Sequence, residues 1–308
     1  MFYFFRFMRK ILYLIILCVV LASCKSNGKK KVITKGDDQP TVTVTIEPYR
    51  YFVEQIAGDK VNVNVMVPAG SNPETYEPTA QQMMELSNSA LYFKVGNIGF
   101  EQTWMKKLLQ NAPDMKVIDT STGITPAKTT GGVIDPHTWM STTSARIISK
   151  NICNALCSLL PQDRTYFKAQ QEKFIQNVIC QVESDMSPYF QQAKEMREKL
   201  INRKERRFPF VIYHPALTYF AKDHGLDQYP IEEEGREPSI TQLQSLIDKA
   251  KHEQIKTVFI QKEFANRNTQ TFIDATGAKP MEINPLAYDW DKQMVDVARK
   301  LAESYTNK

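Results

Sequence analysis

The chain has 308 residues, 42% of them hydrophobic and 24% charged, with a formal net charge of +5 at pH 7. This length allows two domains of ordinary size, and the charge is too small to indicate a nucleic-acid-binding protein. Arginine and lysine form no patch interleaved with aromatic residues, so nucleic acid is not an expected partner.

The first residues have the pattern of a secretion signal. Three basic residues precede an almost wholly apolar run over 11–22, which is shorter than the roughly 20 residues that span a bilayer. The run ends in Leu-Ala-Ser-Cys, which resembles the bacterial lipobox, so 1–23 is a predicted lipoprotein signal peptide and Cys24 the lipidated first mature residue. An ordinary signal peptide with an unrelated cysteine is the alternative. Residues 24–40 are polar and basic, which is typical of a flexible tether.

Strands and helices alternate through residues 41–161, the first predicted lobe. Alternation of apolar and polar residues marks the strands, and amphipathic segments between them mark the helices. The predicted strands are 41–46, 61–67, 91–95 and 115–118, and the predicted helices are 49–57, 79–88, 101–110 and 142–160.

A long helix is predicted over 162–204, which is charged and poor in glycine. At 1.5 Å per residue this segment spans about 60 Å. Pro188 is expected to kink this helix or to begin a second one. A connector of this kind between two compact halves would restrain hinge motion.

The alternation resumes in 205–308, the second predicted lobe. Pro215 suits the first position of a helix that Gly225 ends, and Ser239 with Gln242 matches a capping box. The predicted strands are 210–213, 257–260 and 281–283, and the predicted helices are 215–225, 240–253, one ending near 277, and 290–305.

This order of elements predicts an α/β fold of two lobes, each a mainly parallel sheet flanked by helices, joined by one long connecting helix. In such sheets ligands bind beyond the carboxyl ends of the strands. Four side chains fall just after predicted strands or in the loop that follows: Glu74, His137, His214 and Asn284. Two belong to each half, so a cleft between the halves is the predicted site.

Histidine is scarce, with four in the chain. His137 follows a proline in a loop, and His214 ends a short apolar strand. Taken alone, a turn histidine packed on Trp139 and a satisfied core histidine are the alternatives. His224 and His252 lie at charged helix ends and are predicted to be solvated.

Three cysteines follow Cys24 in the predicted mature chain, namely Cys153, Cys157 and Cys180. An odd number argues against a disulfide framework. Cys153 and Cys157 are four residues apart on a predicted helix, but two thiolates without a nearby histidine make a poor zinc site. Buried free thiols are therefore predicted.

Several short motifs occur in one order over most of the chain. They are Pro73-Glu74-Thr75-Tyr76-Glu77-Pro78, Val95-Gly96-Asn97 with Glu101 and Trp104, Asp135-Pro136-His137-Thr138-Trp139, His214-Pro215-Ala216 with Tyr219 and Gly225, Glu237-Pro238-Ser239, and Asn284-Pro285-Leu286. From about residue 41 to the C-terminus the chain resembles the metal-binding solute receptors of bacterial ABC transporters for zinc and manganese. The resemblance implies two α/β lobes, a long rigid helix between them, one bound ion and an ABC permease as partner.

The resemblance implies that Glu74, His137, His214 and Asn284 hold one divalent ion. The family usually has histidine at position 74 and aspartate at position 284, so this chain departs at two of the four ligands. The formal charges of the two changes cancel, because one adds a negative oxygen and the other removes one. A water or Glu263 is the alternative to Asn284.

Two histidines, one carboxylate and a water can hold zinc tetrahedrally, while a shell richer in oxygen also accepts manganese or iron. The histidine-rich loop of many zinc receptors in this family is absent from 121–134. We favour zinc over manganese or iron. We expect a monomeric, non-enzymatic, extracytoplasmic receptor, anchored in the bilayer through Cys24, that delivers its ion to the permease.

Two other functions stay open. A zinc hydrolase uses the same kind of metal shell, but the chain has no His-Glu-x-x-His motif and no second carboxylate with a defined place as general base. The altered ligands Glu74 and Asn284 are also compatible with a relative whose metal site has degenerated and which acts as a surface adhesion or interaction protein.

Overall fold

The structure is a computed structural model that describes residues 39–129, 132–200, 208–232, 236–261 and 267–306. The predicted signal peptide, the lipidation site Cys24 and the alternative ligand Glu263 lie outside these described residues. From Pro40 onward, the described residues belong to one compact unit. Within it, no helix combines the length and the apolar character that crossing a membrane requires.

Four parallel strands form the first sheet: β1 (Thr41–Val44), β2 (Asn62–Val65), β3 (Ser89–Lys94) and β4 (Lys116–Asp119). They are arranged in the order β2-β1-β3-β4. The central strands β1 and β3 are mostly buried, as strands of a parallel sheet covered on both faces must be. The edge strands β2 and β4 are only partly buried.

The helices of this half are α1 (Glu47–Ala57), α2 (Ala80–Leu86), α3 (Gly99–Asn111) and α4 (Thr142–Leu159). The first begins two residues earlier than predicted, because Pro48 is well tolerated in a first helical turn. Thr79 and Gln82 form a capping box at the start of α2, and the hydroxyl of Ser141 accepts the backbone N–H of Ser144 at the start of α4.

The connecting segment is helical, as predicted. It consists of α5 (Arg164–Phe174), a π-helical turn (Ile175–Ile179) and α6 (Cys180–Leu200). Pro188 lies inside α6 and does not begin a second helix. The connecting segment is irregular instead at the π-helical turn over 175–179, before Pro188.

The second sheet repeats the strand order of the first. Its parallel strands are β5 (Phe208–Ile212), β6 (Leu226–Pro230), β7 (Thr257–Gln261) and β8 (Lys279–Ile283), arranged as β6-β5-β7-β8. The sequence reading missed β6, which has one fully buried residue and ends in proline. An edge strand of this kind lacks the apolar alternation of a half-buried strand and tolerates proline.

The helices of the second half are α7 (Thr218–His224), α8 (Ile240–His252), α9 (Arg267–Thr276) and α10 (Trp290–Thr306). The expectation that Pro215 starts a helix is wrong, because α7 begins three residues later. Gly225 ends α7 in the left-handed conformation that favours glycine. The capping box of Ser239 and Gln242 is confirmed.

The prediction that His224 is solvated is also wrong. Its ring stacks on Phe190 of the connecting helix, with the ring centroids 3.9 Å apart. Burial lowers the pKa of His224 to about 4, against the opposing effect of Glu183. His252 is exposed, as predicted.

Among the described residues, the larger hydrophobic cluster contains residues of both halves, and a second cluster lies within the second half. Phe52 of α1 lies 5.5 Å from the ring of Phe174 in the connecting helix and 5.1 Å from the ring of Trp290 in α10. The three helices therefore share one aromatic cluster. Two parallel four-stranded sheets flanked by helices confirm the predicted α/β fold class, while the lobe boundaries at 161 and 204 stay a prediction.

A buried acid, Glu101, lies at the carboxyl ends of β1 and β3. Its Oε1 accepts the N–H of Val95 at 2.7 Å, its Oε2 accepts the N–H of Gly96 at 2.9 Å, and the hydroxyl of Thr45 also donates to it. Burial raises the pKa of Glu101 to about 7, although these hydrogen bonds oppose the rise.

This pKa predicts that Glu101 makes the protein less stable as the pH rises from about 4.5 to about 7. In that range the carboxyl ionises freely in the unfolded chain but resists ionisation in the folded one, at a cost on the order of 3 kcal/mol. Glu101→Gln does not titrate. The unfolding free energy of the parent minus that of this variant should therefore fall by on the order of 3 kcal/mol from pH 4.5 to pH 8, measured by urea denaturation. A difference independent of pH would contradict the assignment.

Candidate metal centre

Two imidazoles meet where the two halves of the chain come together. His137 follows β4 through a long loop, and His214 follows β5. Their Nε2 atoms are 3.2 Å apart, and both side chains are buried. The structure thus brings together two residues that are 77 positions apart in the chain.

A buried carboxylate holds the loop of His137. Oδ1 of Asp135 accepts the backbone N–H of His137 at 2.7 Å and lies 2.9 Å from Nδ1 of its ring. Oδ2 accepts the hydroxyl of Thr218 at 2.6 Å, and the carbonyl oxygen of Asp135 accepts the hydroxyl of Tyr219. Burial by itself would raise the pKa of Asp135, but the His137 ring and these hydrogen bonds outweigh it and lower the pKa.

Two residues that sequence reasoning missed hold His214. Oε1 of Glu232 lies 3.4 Å from Nδ1 of the ring. The amide of Gln261 binds the backbone of His214 twice, accepting its N–H at 3.3 Å and donating to its carbonyl oxygen at 2.8 Å. Gln261 ends β7 beside β5, where the strand order of the sheet reverses and ligands usually bind. A polar residue at the end of that buried strand was the available signal, whereas Glu232 follows a strand that had not been predicted.

The two carboxylates have a chemical consequence for the imidazoles. When each Nδ1–H donates to its carboxylate, each Nε2 is unprotonated and carries a lone pair. The two lone pairs of His137 and His214 then face a shared point. A tetrahedral ion with Zn–N bonds of about 2.0–2.1 Å would separate the two nitrogens by roughly 3.3–3.4 Å, close to the observed 3.2 Å.

The two imidazoles line a small cavity together with Glu74. Its volume of about 20 Å³ is enough for one water-sized guest. Its other walls are formed by residues of both halves: Pro73, Ile98, Trp139, Ala216, Gln261, Pro285 and Leu286.

The Glu74 carboxylate lies against Gly99, the first residue of α3. A Cβ atom at Gly99 would stand 2.2 Å from Oε2 of Glu74. The carboxylate therefore occupies space that any other residue at position 99 would fill. The start of a helix is also an electrostatically favourable place for a negative charge.

In this conformation the site is not a complete metal cage. Across the described ranges, no three histidine, cysteine, aspartate or glutamate side chains lie close enough together to hold one ion. Glu74 shares the cavity with the two histidines without closing a three-ligand cluster. Asn284 is exposed, and its Oδ1 accepts the N–H of Leu286 at 3.2 Å, as asparagine often does in turns.

Trp139 forms part of the cavity wall, and Trp290 forms a hydrogen bond with its backbone. The ring of His137 packs on Trp139, with the centroids 5.1 Å apart, so the packing considered as an alternative to a ligand role is also present. Nε1 of Trp139 donates to the carbonyl oxygen of Pro285 at 2.8 Å, and Nε1 of Trp290 donates to the carbonyl oxygen of Trp139 at 2.7 Å. These bonds join the His137 loop to the second half of the chain.

The contact of Thr218 with Asp135 predicts a measurable share of the stability. Thr218→Val removes the hydroxyl from a buried carboxylate, at an expected cost of about 2 kcal/mol, because hydrogen bonds to charged groups contribute roughly 1.5–3 kcal/mol. Thr218→Ser keeps the hydroxyl and should lose less than half of that amount. Urea denaturation of the full chain at pH 7 measures both variants, and equal losses would contradict the role of the hydroxyl.

Comparison with known proteins identifies the family of this chain. Residues 42–305 match the family model of ZnuA, zinc-uptake complex component A periplasmic. The chain is 26% identical over 295 residues to the high-affinity zinc uptake system protein ZnuA of Bacillus subtilis, covering 89% of this chain and 88% of that protein. It is 28% identical over 270 residues to the iron ABC transporter substrate-binding lipoprotein MtsA of Streptococcus pyogenes, covering 84% and 82%.

A solved structure has a similar fold. The crystal structure of a 138–173 deletion mutant of ZnuA with zinc bound is 36% identical and superposes with a TM-score of 0.77, covering 87% of this chain and 98% of that one. The family match spans most of the chain. The chain therefore belongs to the ZnuA family of metal ABC transporter substrate-binding proteins.

Proposed function

We propose that this protein is an extracytoplasmic receptor that binds one divalent cation between its two lobes and delivers it to an ABC permease. The observation that carries the proposal is the buried pair of Nε2 atoms, 3.2 Å apart, with a carboxylate beside each Nδ1. Such carboxylates orient imidazole ligands and raise their basicity. A relative of this chain is named as an ABC transporter lipoprotein, which supports a membrane permease as the partner.

Zinc is the cation that we favour. Two imidazoles suit zinc better than manganese, which prefers ligands richer in oxygen. One relative is named for zinc uptake and a similar structure holds zinc, but another relative is named for iron. Manganese and iron are therefore the competing ions in every binding test.

The proposed ligands are His137, His214 and Glu74, with a water or Asn284 in the fourth position. In this proposal the Glu74 carboxylate leaves its place beside Gly99 and turns toward the cation. The carboxylate would exchange the weak attraction of the helix start for a direct bond to the cation. Asn284 would have to give up its hydrogen bond with Leu286 to take part, so water is the simpler fourth ligand.

We further propose that Cys24 carries a lipid that anchors the receptor outside the cytoplasm, in the periplasm or on the cell surface. The lipobox-like residues support this, and the MtsA relative is named a lipoprotein. The tether 24–40 would let the folded body reach the permease. The receptor would act as a monomer.

The first test is metal retention. The metal-free full chain, dialysed against zinc or manganese, should retain about one equivalent of zinc by elemental analysis. His137→Ala and His214→Ala should each weaken zinc binding at least tenfold, because each removes one of two imidazole ligands. Titration against a chromogenic zinc chelator measures the affinity, and His252→Ala is the control because that side chain is exposed.

The incomplete cage is the observation that supports a second candidate function. In this alternative the metal site has degenerated and the chain acts as an adhesion or interaction protein. In that case the parent chain would retain no divalent ion, while a Glu74→His, Asn284→Asp double variant would bind one. Retention by the parent with unchanged affinity in both histidine variants would reject the proposed ligands instead.

Gly99 offers a second test of the Glu74 role. Gly99→Ala fills the space beside the helix start and should drive the carboxylate toward the cation. Removing an electrostatic attraction of about 0.3–1 kcal/mol from the competing position predicts a roughly two- to fivefold gain in zinc affinity. The gain should vanish in the Glu74→Ala background. An equal effect of Gly99→Ala with and without the carboxylate would contradict the idea that Glu74 moves.

A further inference from the structure

Two cysteines outside the imidazole site lie side by side in α4. Cys153 and Cys157 are one helical turn apart, and their Sγ atoms are 4.0 Å from each other. Both residues are buried, with 4% and 5% of their surface exposed. The thiol of Cys157 also faces the carbonyl oxygen of Arg164 at 3.8 Å.

The helix geometry opposes a disulfide between these thiols. A disulfide needs Cβ atoms about 3.5–4.5 Å apart, whereas residues four apart on a helix hold them about 5–6 Å apart. Bond formation would also have to draw the sulfurs from 4.0 Å to about 2.05 Å. Burial, together with the neighbouring Cys157, raises the pKa of the Cys153 thiol. The free thiolate that would attack an oxidant is therefore scarce, and an ion has to displace the thiol protons in order to bind.

A bound metal ion would fit this spacing with little movement. Two metal–sulfur bonds of about 2.3 Å bridge 4.0 Å at an angle of roughly 120°, and they span about 4.6 Å when linear. Zinc is a poor match because it needs four ligands, and the described residues contain no cluster of three histidine, cysteine, aspartate or glutamate side chains. Thiolates select soft ions such as Cu(I), which suits a site with few ligands.

The charge around the pair favours a monovalent ion. Binding replaces two thiol protons with one cation, so two thiols and Ag(I) give a dithiolate complex of charge −1 and release two protons. Lys168 of α5 interacts electrostatically with Cys153 and supplies a balancing positive charge. Its side chain is exposed, which places the pair just beneath the surface.

We propose that Cys153 and Cys157 form a dithiol site for a soft monovalent cation of the Cu(I) or Ag(I) class, independent of the imidazole site. Cys180 is the natural comparison. It is the third described cysteine, and its Sγ is 3.5 Å from the Arg146 guanidinium.

The test uses the reduced full chain carrying His137→Ala and His214→Ala, so that the imidazole site contributes nothing. Silver(I) is the probe, and tightly retained silver is counted by elemental analysis after competition with a weak thioether. Cys153→Ser and Cys157→Ser should each lower the retained silver by about one equivalent, and their double variant should lose no more than that. Cys180→Ser should keep the equivalent of the pair. Cys18 and Cys24 are the same in every protein compared, so they do not affect the difference.

A second measurement replaces both cysteines with alanine, which leaves no polar hydroxyl in the buried site. Phenylarsine oxide condenses with two neighbouring thiols and releases one water, so the parent should carry one more adduct by mass than a Cys153→Ala, Cys157→Ala variant. Equal silver retention with and without the pair would overturn the proposal, as would a disulfide between the two cysteines in the isolated protein. Because the imidazole ligands are already removed, failure here is distinct from failure of the proposed receptor function.

Discussion

The rest of the site depends on the hydrogen bonds that the buried carboxylate of Asp135 accepts. One oxygen holds the backbone and ring of His137, and the other accepts the hydroxyl of Thr218 from the second half of the chain. A single buried charge therefore fixes the orientation of one imidazole and joins the two lobes. A buried anion left without its donors is costly, so the loop and α7 must stay together while the carboxylate is ionised.

Hydrogen bonds of two indoles across the junction between the two halves also limit how the lobes can move. Trp139 donates to Pro285, and Trp290 donates to Trp139, so the indoles link the two halves in both directions. Behind them, α1, the connecting helix and α10 share one aromatic cluster. Separating the lobes completely would expose these rings to water. Small displacements around the cavity are therefore more compatible with this fold than a wide hinge opening.

Sequence patterns predict the elements of this molecule whose structure depends on residues nearby in the chain. Apolar alternation identified β1 and β2, and a short apolar run identified β5. The positions of His137 and His214 after strands indicated a shared site. Contacts between distant segments explain the failures. His224 is covered by Phe190 of the connecting helix, which spacing along α7 cannot show. Gln261 acts through the backbone of His214, and such a clamp is visible only once β5 and β7 are paired.

The cavity beside the two imidazoles has a kinetic consequence. Its volume is about 20 Å³, and residues from both halves form its walls. A cation held there, as we propose, would be released through movement of these walls. Its residence time would then depend on the junction between the two halves. A permease that separates this junction would unload the proposed receptor without having to compete for the ion.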